Sequence, residues 1–149
     1  MSLAAIKQAI PHREPFLLLD EIVEQDERRI ECRKTFTGSE WWYAGHYPEF
    51  AITPGVLLCE AAMQAGAVLL AAHVRSDDGK VPVATRANNV QFKRMVRPGE
   101  TITIEAELTD ELSGAYFMTG RITVDGKLAA RLEFACTLAD VRPRPETPA

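Results

Sequence analysis

The sequence is short of several things, and each shortage excludes a class of protein. It has three cysteines, Cys32, Cys59 and Cys136, an odd number at wide spacing. That pattern makes neither a disulfide framework nor a zinc site, and it fits a reducing, cytoplasmic location. Basic residues are outnumbered, with 17 Lys and Arg against 21 Asp and Glu and a net charge of -4. A nucleic-acid binder normally carries a basic excess, so no nucleic-acid partner is expected. No apolar run reaches the roughly 18 residues of a membrane span. The longest, Ala65 to Ala72, has the length of a core helix segment. Met1 to Ile10 carries Lys7 and Gln8 and lacks the charged-then-apolar layout of a signal peptide. No internal repeat is present.

What remains is an ordinary globular composition, 46% hydrophobic and 26% charged over 149 residues. One domain over 1–140 is expected, large enough to bury a core, followed by a proline-rich, disordered tail over 141–149. Ser2 to Ile10 reads as a short helix capped by Ser2 and stopped by Pro11. Phe16 to Val23 reads as a strand, and Arg29 to Phe36 alternates, with Ile30, Cys32 and Lys34 on one side. Gly38 to Thr53 is a long stretch rich in aromatics, glycine and proline, a length that in a compact domain points to function. Pro54-Gly55 then opens a helix reaching about His73, on the order of 28 Å long. That helix is apolar nearly all round apart from Glu60 and Gln64, so it is expected to be buried on most sides.

After the turn Ser76-Asp77-Asp78-Gly79, the remainder reads as strands over Val81–Arg94, Glu100–Leu112, Tyr116–Val124 and Lys127–Leu138. They are punctuated by Pro98-Gly99, Ser113-Gly114 and Asp125-Gly126, the last a strong hairpin signal. The expected class is α+β: one long central helix wrapped by an antiparallel β-sheet. A single sheet covers only part of such a helix, so two copies pairing edge to edge as a homodimer are expected.

The chemistry concentrates in 44–64, where His46 sits in a tight loop and Glu60 follows the proline-glycine helix start. Acid–base chemistry near neutral pH needs two groups of different proton affinity facing one substrate. The plainer readings are a structural loop histidine and a buried acid bonded to Gln64, one turn on. Burial would also suit Glu60 to act as an acid. His12 reads as structural, with Arg13 and Asp20 as its partners. His73 and the cysteines carry no functional signal, and Trp41 and Trp42 read as packing.

Four ordered motifs carry a resemblance. They are Pro11-His12-Arg13-Glu14-Pro15-Phe16-Leu17-Leu18-Leu19-Asp20, Gly45-His46-Tyr47-Pro48, Pro54-Gly55-Val56-Leu57-Leu58-Cys59-Glu60-Ala61, and Phe92-Lys93-Arg94-Met95-Val96-Arg97-Pro98-Gly99. From about Ile10 to Leu138 the chain resembles the (3R)-hydroxyacyl-[acyl carrier protein] dehydratases of fatty-acid synthesis, which have the hot-dog fold. The resemblance implies that His46 takes the C2 proton of an acyl thioester. Glu60, from the other subunit of a homodimer, helps the C3 hydroxyl leave as water. The Gly55 N–H polarises the thioester carbonyl, as free amides at a helix N-terminus are suited to do.

Pro54, Val56, Gln64 and Phe50 are the expected substrate contacts. Lys93, Arg94 and Arg97 form a basic cluster, either a solvated strand edge or a landing patch for acidic acyl carrier protein. Neither metal nor organic cofactor is implied, and the resemblance leaves open whether the dimers assemble further, as a trimer of dimers. The chain departs from the family at Glu49, Phe50 and Ala51, and at Asn88-Asn89-Val90, which leaves the substrate open. The alternatives are a hot-dog acyl thioesterase, in which Glu60 activates water, and a catalytically weak relative that binds acyl carrier protein.

Overall fold

The computed structural model describes residues 2–74 and 79–140. The elements in chain order are α1 (Leu3–Ala9), β1 (Glu21–Gln25), β2 (Arg29–Thr35), α2 (Gly55–Ala71), β3 (Lys80–Phe92), β4 (Thr101–Leu112), β5 (Ala115–Val124) and β6 (Lys127–Asp140). All six strands form one antiparallel sheet in the order β1-β2-β4-β5-β6-β3. The sheet curls around α2, as expected of an α+β chain with a central helix. Among the described residues no helix is long and apolar enough to cross a membrane.

Strand pattern explains which face turns inward. Along β4, Ile102, Ile104, Ala106 and Leu108 are buried while their neighbours face out, the two-residue period of a half-buried strand. In α2, Leu58, Ala61, Ala62, Ala65, Leu69 and Leu70 are buried, which covers most of the circumference. Each large aliphatic side chain so buried stabilises by roughly 1.5–3 kcal/mol. Small residues let helix and sheet approach closely. A Cβ on Gly120 of β5 would lie 2.8 Å from the Ala62 Cβ, and one on Gly66 of α2 2.8 Å from the Phe134 ring. The two hairpin turns use Ser113-Gly114 and Asp125-Gly126, with all four φ values between 50° and 81°. Both central residues at positive φ is the type I′ geometry that matches strand twist.

Several expectations need correction. The strand expected over Phe16–Val23 occurs instead at Glu21–Gln25. Leu17, Leu18 and Leu19 are buried, but Gln64 of α2 binds their backbone: Leu18 N donates to Gln64 Oε1 at 2.8 Å, and Gln64 Nε2 donates to Phe16 O at 2.9 Å. A helix side chain thus takes the bonds a neighbouring strand would have made. Ser2 stands at the N-cap of α1 without a side-chain cap bond. Helix α2 ends at Ala71, and His73 beyond it bonds the Glu27 carbonyl through Nε2 at 2.8 Å. The turn at 76–78 and the tail 141–149 lie outside the described residues.

Candidate active site

The loop before α2 is a sequence of short turns nailed to its surroundings. His46 N donates to Trp42 O at 3.0 Å, Thr53 N donates to Val96 O at 2.7 Å, and the Tyr43 and Thr53 hydroxyls are 2.7 Å apart. Trp42 and Tyr43 are buried and anchor the segment, the packing role expected of the tryptophan pair, while Trp41 is exposed. Tyr47 takes a positive φ of 51° and sets its ring edge-on to His46, centroids 4.9 Å apart.

This framework fixes the His46 tautomer. His46 Nδ1 lies 3.1 Å from the Ile52 carbonyl oxygen. A carbonyl can only accept, so in the neutral ring Nδ1 carries the proton and Nε2 presents a bare lone pair. Nε2 is therefore the basic atom. The ring lines a cavity of 570 Å³ together with Gly55, whose N–H was the expected carbonyl donor, with Pro54 and Val56, expected substrate contacts, and with Lys93 and Arg94. Pro54 caps the helix without a side-chain acceptor, so the first N–H groups of α2 remain uncapped. Phe92 covers that end. A Cβ on Gly55 would meet its ring at 2.7–3.0 Å, so only glycine admits this closure.

Glu60 is elsewhere. Five residues on from Gly55, it is rotated about 140° around the helix. It lines a second cavity of 310 Å³ with His12, Met63, Gln64, Val83 and Cys136, none of which lines the first. Burial pushes the Glu60 carboxyl above the usual carboxylate range, opposed by the Gln64 amide. Gln64, expected as a substrate contact, is almost fully buried and bonds Phe16 and Leu18 as described. Gln64 holds the Phe16–Leu18 loop and also favours the Glu60 carboxylate, so the plainer reading of Glu60 as an acid bonded to Gln64 stands beside the catalytic one.

Other expected residues divide. Phe50 is absent from the wall of the His46 cavity and lies under Arg97, whose guanidinium carbon is 4.0 Å from the ring centroid. Arg94 is paired with Glu100 at 2.8 Å. Lys93 is exposed and has no ion pair among the described residues. Glu49 is exposed. The thiols are buried, and burial pushes Cys32 to about 12 and Cys136 to about 11, so they are inert. Among the described residues, no three His, Cys, Asp or Glu side chains converge to hold a metal.

The His12 ring has a different neighbour from the Arg13 and Asp20 expected of it. It meets neither Arg13, which bonds the backbone of Lys7, Ile10 and His12, nor Asp20, which bonds Lys34 and Thr35. It lies instead beside Glu60, Nε2 to Oε1 at 3.9 Å. The legible signal was the four-residue spacing of Glu60 and Gln64. One reaches the motif's His12, the other its backbone.

Residues 10–133 match the family model of the FabA-like domain. A 3-hydroxyacyl-[acyl-carrier-protein] dehydratase FabZ from Staphylococcus carnosus is 41% identical over 137 residues, covering 91% of this chain and 94% of that protein. The same-named enzyme of Staphylococcus aureus is 41% identical over 138 residues, covering 92% and 94%. Among solved structures, the dehydratase heterocomplex ApeI:P of Xenorhabdus doucetiae is similar in fold, with TM-score 0.74 and 16% identity over 91% of each chain. A hypothetical thioesterase from Streptococcus pneumoniae, solved with coenzyme A, gives TM-score 0.64 at 14% identity, covering 83% and 88%. Those two likenesses concern the fold alone, a hot-dog. By the match over 10–133 and the identity to the dehydratases, this chain belongs to the FabA-like family.

Proposed function

We propose that this chain dehydrates (3R)-3-hydroxyacyl thioesters carried on acyl carrier protein to trans-2-enoyl thioesters in fatty-acid synthesis. The observation that carries the reading is the His46 ring, held through Nδ1 with Nε2 open to a cavity that also receives the amino end of α2. His46 Nε2 takes the C2 proton. Negative charge developing on the thioester oxygen meets the Gly55 N–H, and Glu60 gives its proton to the C3 hydroxyl, which leaves as water. Donors already aimed at such an oxygen cost no reorganisation in the transition state. Near-full-length relatives named as dehydratases support the same reaction.

The acid comes from a second subunit. Strand β3 is an edge strand of 13 residues, hydrogen-bonded on one side to β6 and exposed over most of its length. Its Phe92 end borders the His46 cavity and its Val81 end borders the Glu60 cavity. A two-fold axis near the middle of β3 would continue the sheet and bring the two cavities of opposite subunits together. Each His46 would then face the partner subunit's Glu60. Lys93, exposed at the mouth of the His46 cavity, and the exposed Arg97 supply charge for the acidic carrier. The three buried free thiols fit a cytoplasmic setting.

The test is an assay on crotonyl and longer 2-enoyl thioesters, following enoyl absorbance, with wild type beside His46→Ala and Glu60→Gln. Absorbance that changes in wild type only is the expected result. Thiol release without enoyl chemistry would replace the dehydratase with a thioesterase.

A further inference from the structure

The contact between His12 and Glu60 has no place in the reaction just given, which uses Glu60 alone at the leaving hydroxyl. Three observations say that this contact is built. Gln64 clamps the backbone on both sides of Leu17, holding the segment after α1 against the helix. The His12 ring stacks on Phe16 within that segment, centroids 6.3 Å apart and planes 16° from parallel. Its Nε2 then comes to 3.9 Å from Glu60 Oε1.

The second nitrogen settles which way the ring is protonated. His12 Nδ1 is buried and has no hydrogen-bond partner among the described residues. Burial, aided by the Arg13 charge, pulls the ring's proton affinity down, so near neutral pH it holds one proton. A buried N–H without an acceptor is rarer in proteins than a bare buried acceptor. The single proton therefore resides on Nε2, on the side of Glu60. Of the remaining groups at this carboxyl, the Gln64 amide also favours the charged form of Glu60. Helix α2 contributes Gln64, already bonded to Phe16 and Leu18, and β6 contributes the Cys136 thiol, kept protonated by burial. Strand β3 brings Val81, Pro82, Val83 and Ala84, which do not titrate. In the proposed dimer the partner subunit's His46 faces it from across the interface.

We infer that His12 is a positioning residue whose Nε2–H orients the Glu60 carboxyl and stabilises the carboxylate left when Glu60 gives its proton to the departing water. A gap of 3.9 Å is beyond a hydrogen bond in the resting protein. Hydrogen bonds at catalytic groups are commonly long in the unliganded state and tighten when charge develops. The proton count is unchanged by this role: Glu60 loses one proton to the hydroxyl, and His12 keeps its own. The inference rests on Glu60 being the acid of the proposed reaction.

The test compares kcat, KM and the pH profile of wild type, His12→Phe, His12→Gln and Glu60→Gln, all in the full-length chain. Phenylalanine keeps the stacking on Phe16 and removes the donor. Glutamine restores an N–H at comparable reach. A hydrogen bond to a charged group corresponds to roughly a tenfold effect or more. His12→Phe should therefore lose about tenfold in kcat with KM little changed. Its alkaline limb should move to higher pH, because a carboxyl deprived of its donor ionises later. His12→Gln should recover most of kcat and the original limb.

A His12→Phe enzyme with wild-type kcat and limb overturns the inference, as does a His12→Gln enzyme impaired equally with His12→Phe. Nitrogen-15 shifts of the His12 ring in the wild-type protein give a check free of any variant's folding. The Nε2–H tautomer is expected, and the Nδ1–H tautomer overturns the role. If Glu60→Gln stays active, the proposed acid itself is wrong. If Glu60→Gln is dead and His12→Phe unaffected, only this inference falls.

Discussion

The His46 and Glu60 cavities are built by opposite means. His46 belongs to a loop, and its precision comes from backbone bonds: Nδ1 on the Ile52 carbonyl, its own amide on Trp42, and buried aromatics beneath. Glu60 belongs to the middle of a buried helix, and side chains from a distant segment set its surroundings. A base must offer a free lone pair to a substrate that comes and goes, so an open cavity with a fixed ring suits it. An acid must stay protonated near neutral pH, so a tighter, drier place suits it. One chain supplies both environments but keeps them on different sides of α2.

The sharpest break of this comparison removes the proposed base. His46→Ala should lower kcat by roughly 10²–10⁴-fold, the usual range for a positioned acid–base group. Circular dichroism should show an unchanged fold, since the lost contact lies in a loop. Mixing subunits tests the separation directly. His46→Ala and Glu60→Gln homodimers should both be inactive. Co-refolded together, they should regain about a quarter of wild-type activity, because half the dimers are mixed and one of the two sites in each is intact. No recovery would place both groups of a site in one protomer.

The Glu60 side also has a pH signature in stability. Burial raises its carboxyl, so in the interval above its unfolded value the folded state holds more protons than the unfolded one. Stability from this group is fully present below the unfolded pKa and declines as pH rises through the folded pKa. Denaturant titrations across that range should show the decline in wild type and its loss in Glu60→Gln.

Smaller effects sharpen the His46 side. Gly55→Ala sets a methyl against the Phe92 ring and should destabilise by about 1–3 kcal/mol, as overpacking does. Phe92→Ala in the same chain should return most of that loss, measured as a double-mutant cycle in chemical denaturation. Lys93→Glu should raise KM for carrier-bound substrate at low ionic strength, with the difference shrinking as salt is added and little change in kcat. A coenzyme A thioester assayed in parallel should show little of the effect.

Much of this molecule was legible beforehand where the code is local. The alternation of Ile102, Ile104, Ala106 and Leu108 and the Asp125-Gly126 turn each appear where the pattern put them. So does the proline-glycine start of α2, because strand period, turn φ and a missing amide hydrogen are properties of a few adjacent residues. The stretch Phe16–Val23 misled because its hydrophobicity announces burial without saying what takes its backbone bonds. Helix α2 takes them, through a side chain 46 positions away from Leu18.

The sequence by itself determined the central helix and most of the sheet, and it singled out His46 and Glu60 as candidates. Only the tertiary structure decided which nitrogen of His46 is free, since that depends on one carbonyl meeting Nδ1. It alone revealed His12 as the neighbour of Glu60, because an N-terminal segment and a helix face become adjacent only when the core closes. It also put His46 and Glu60 in separate cavities, because a helix turns about 100° per residue and the five residues from Gly55 to Glu60 carry a side chain to another face.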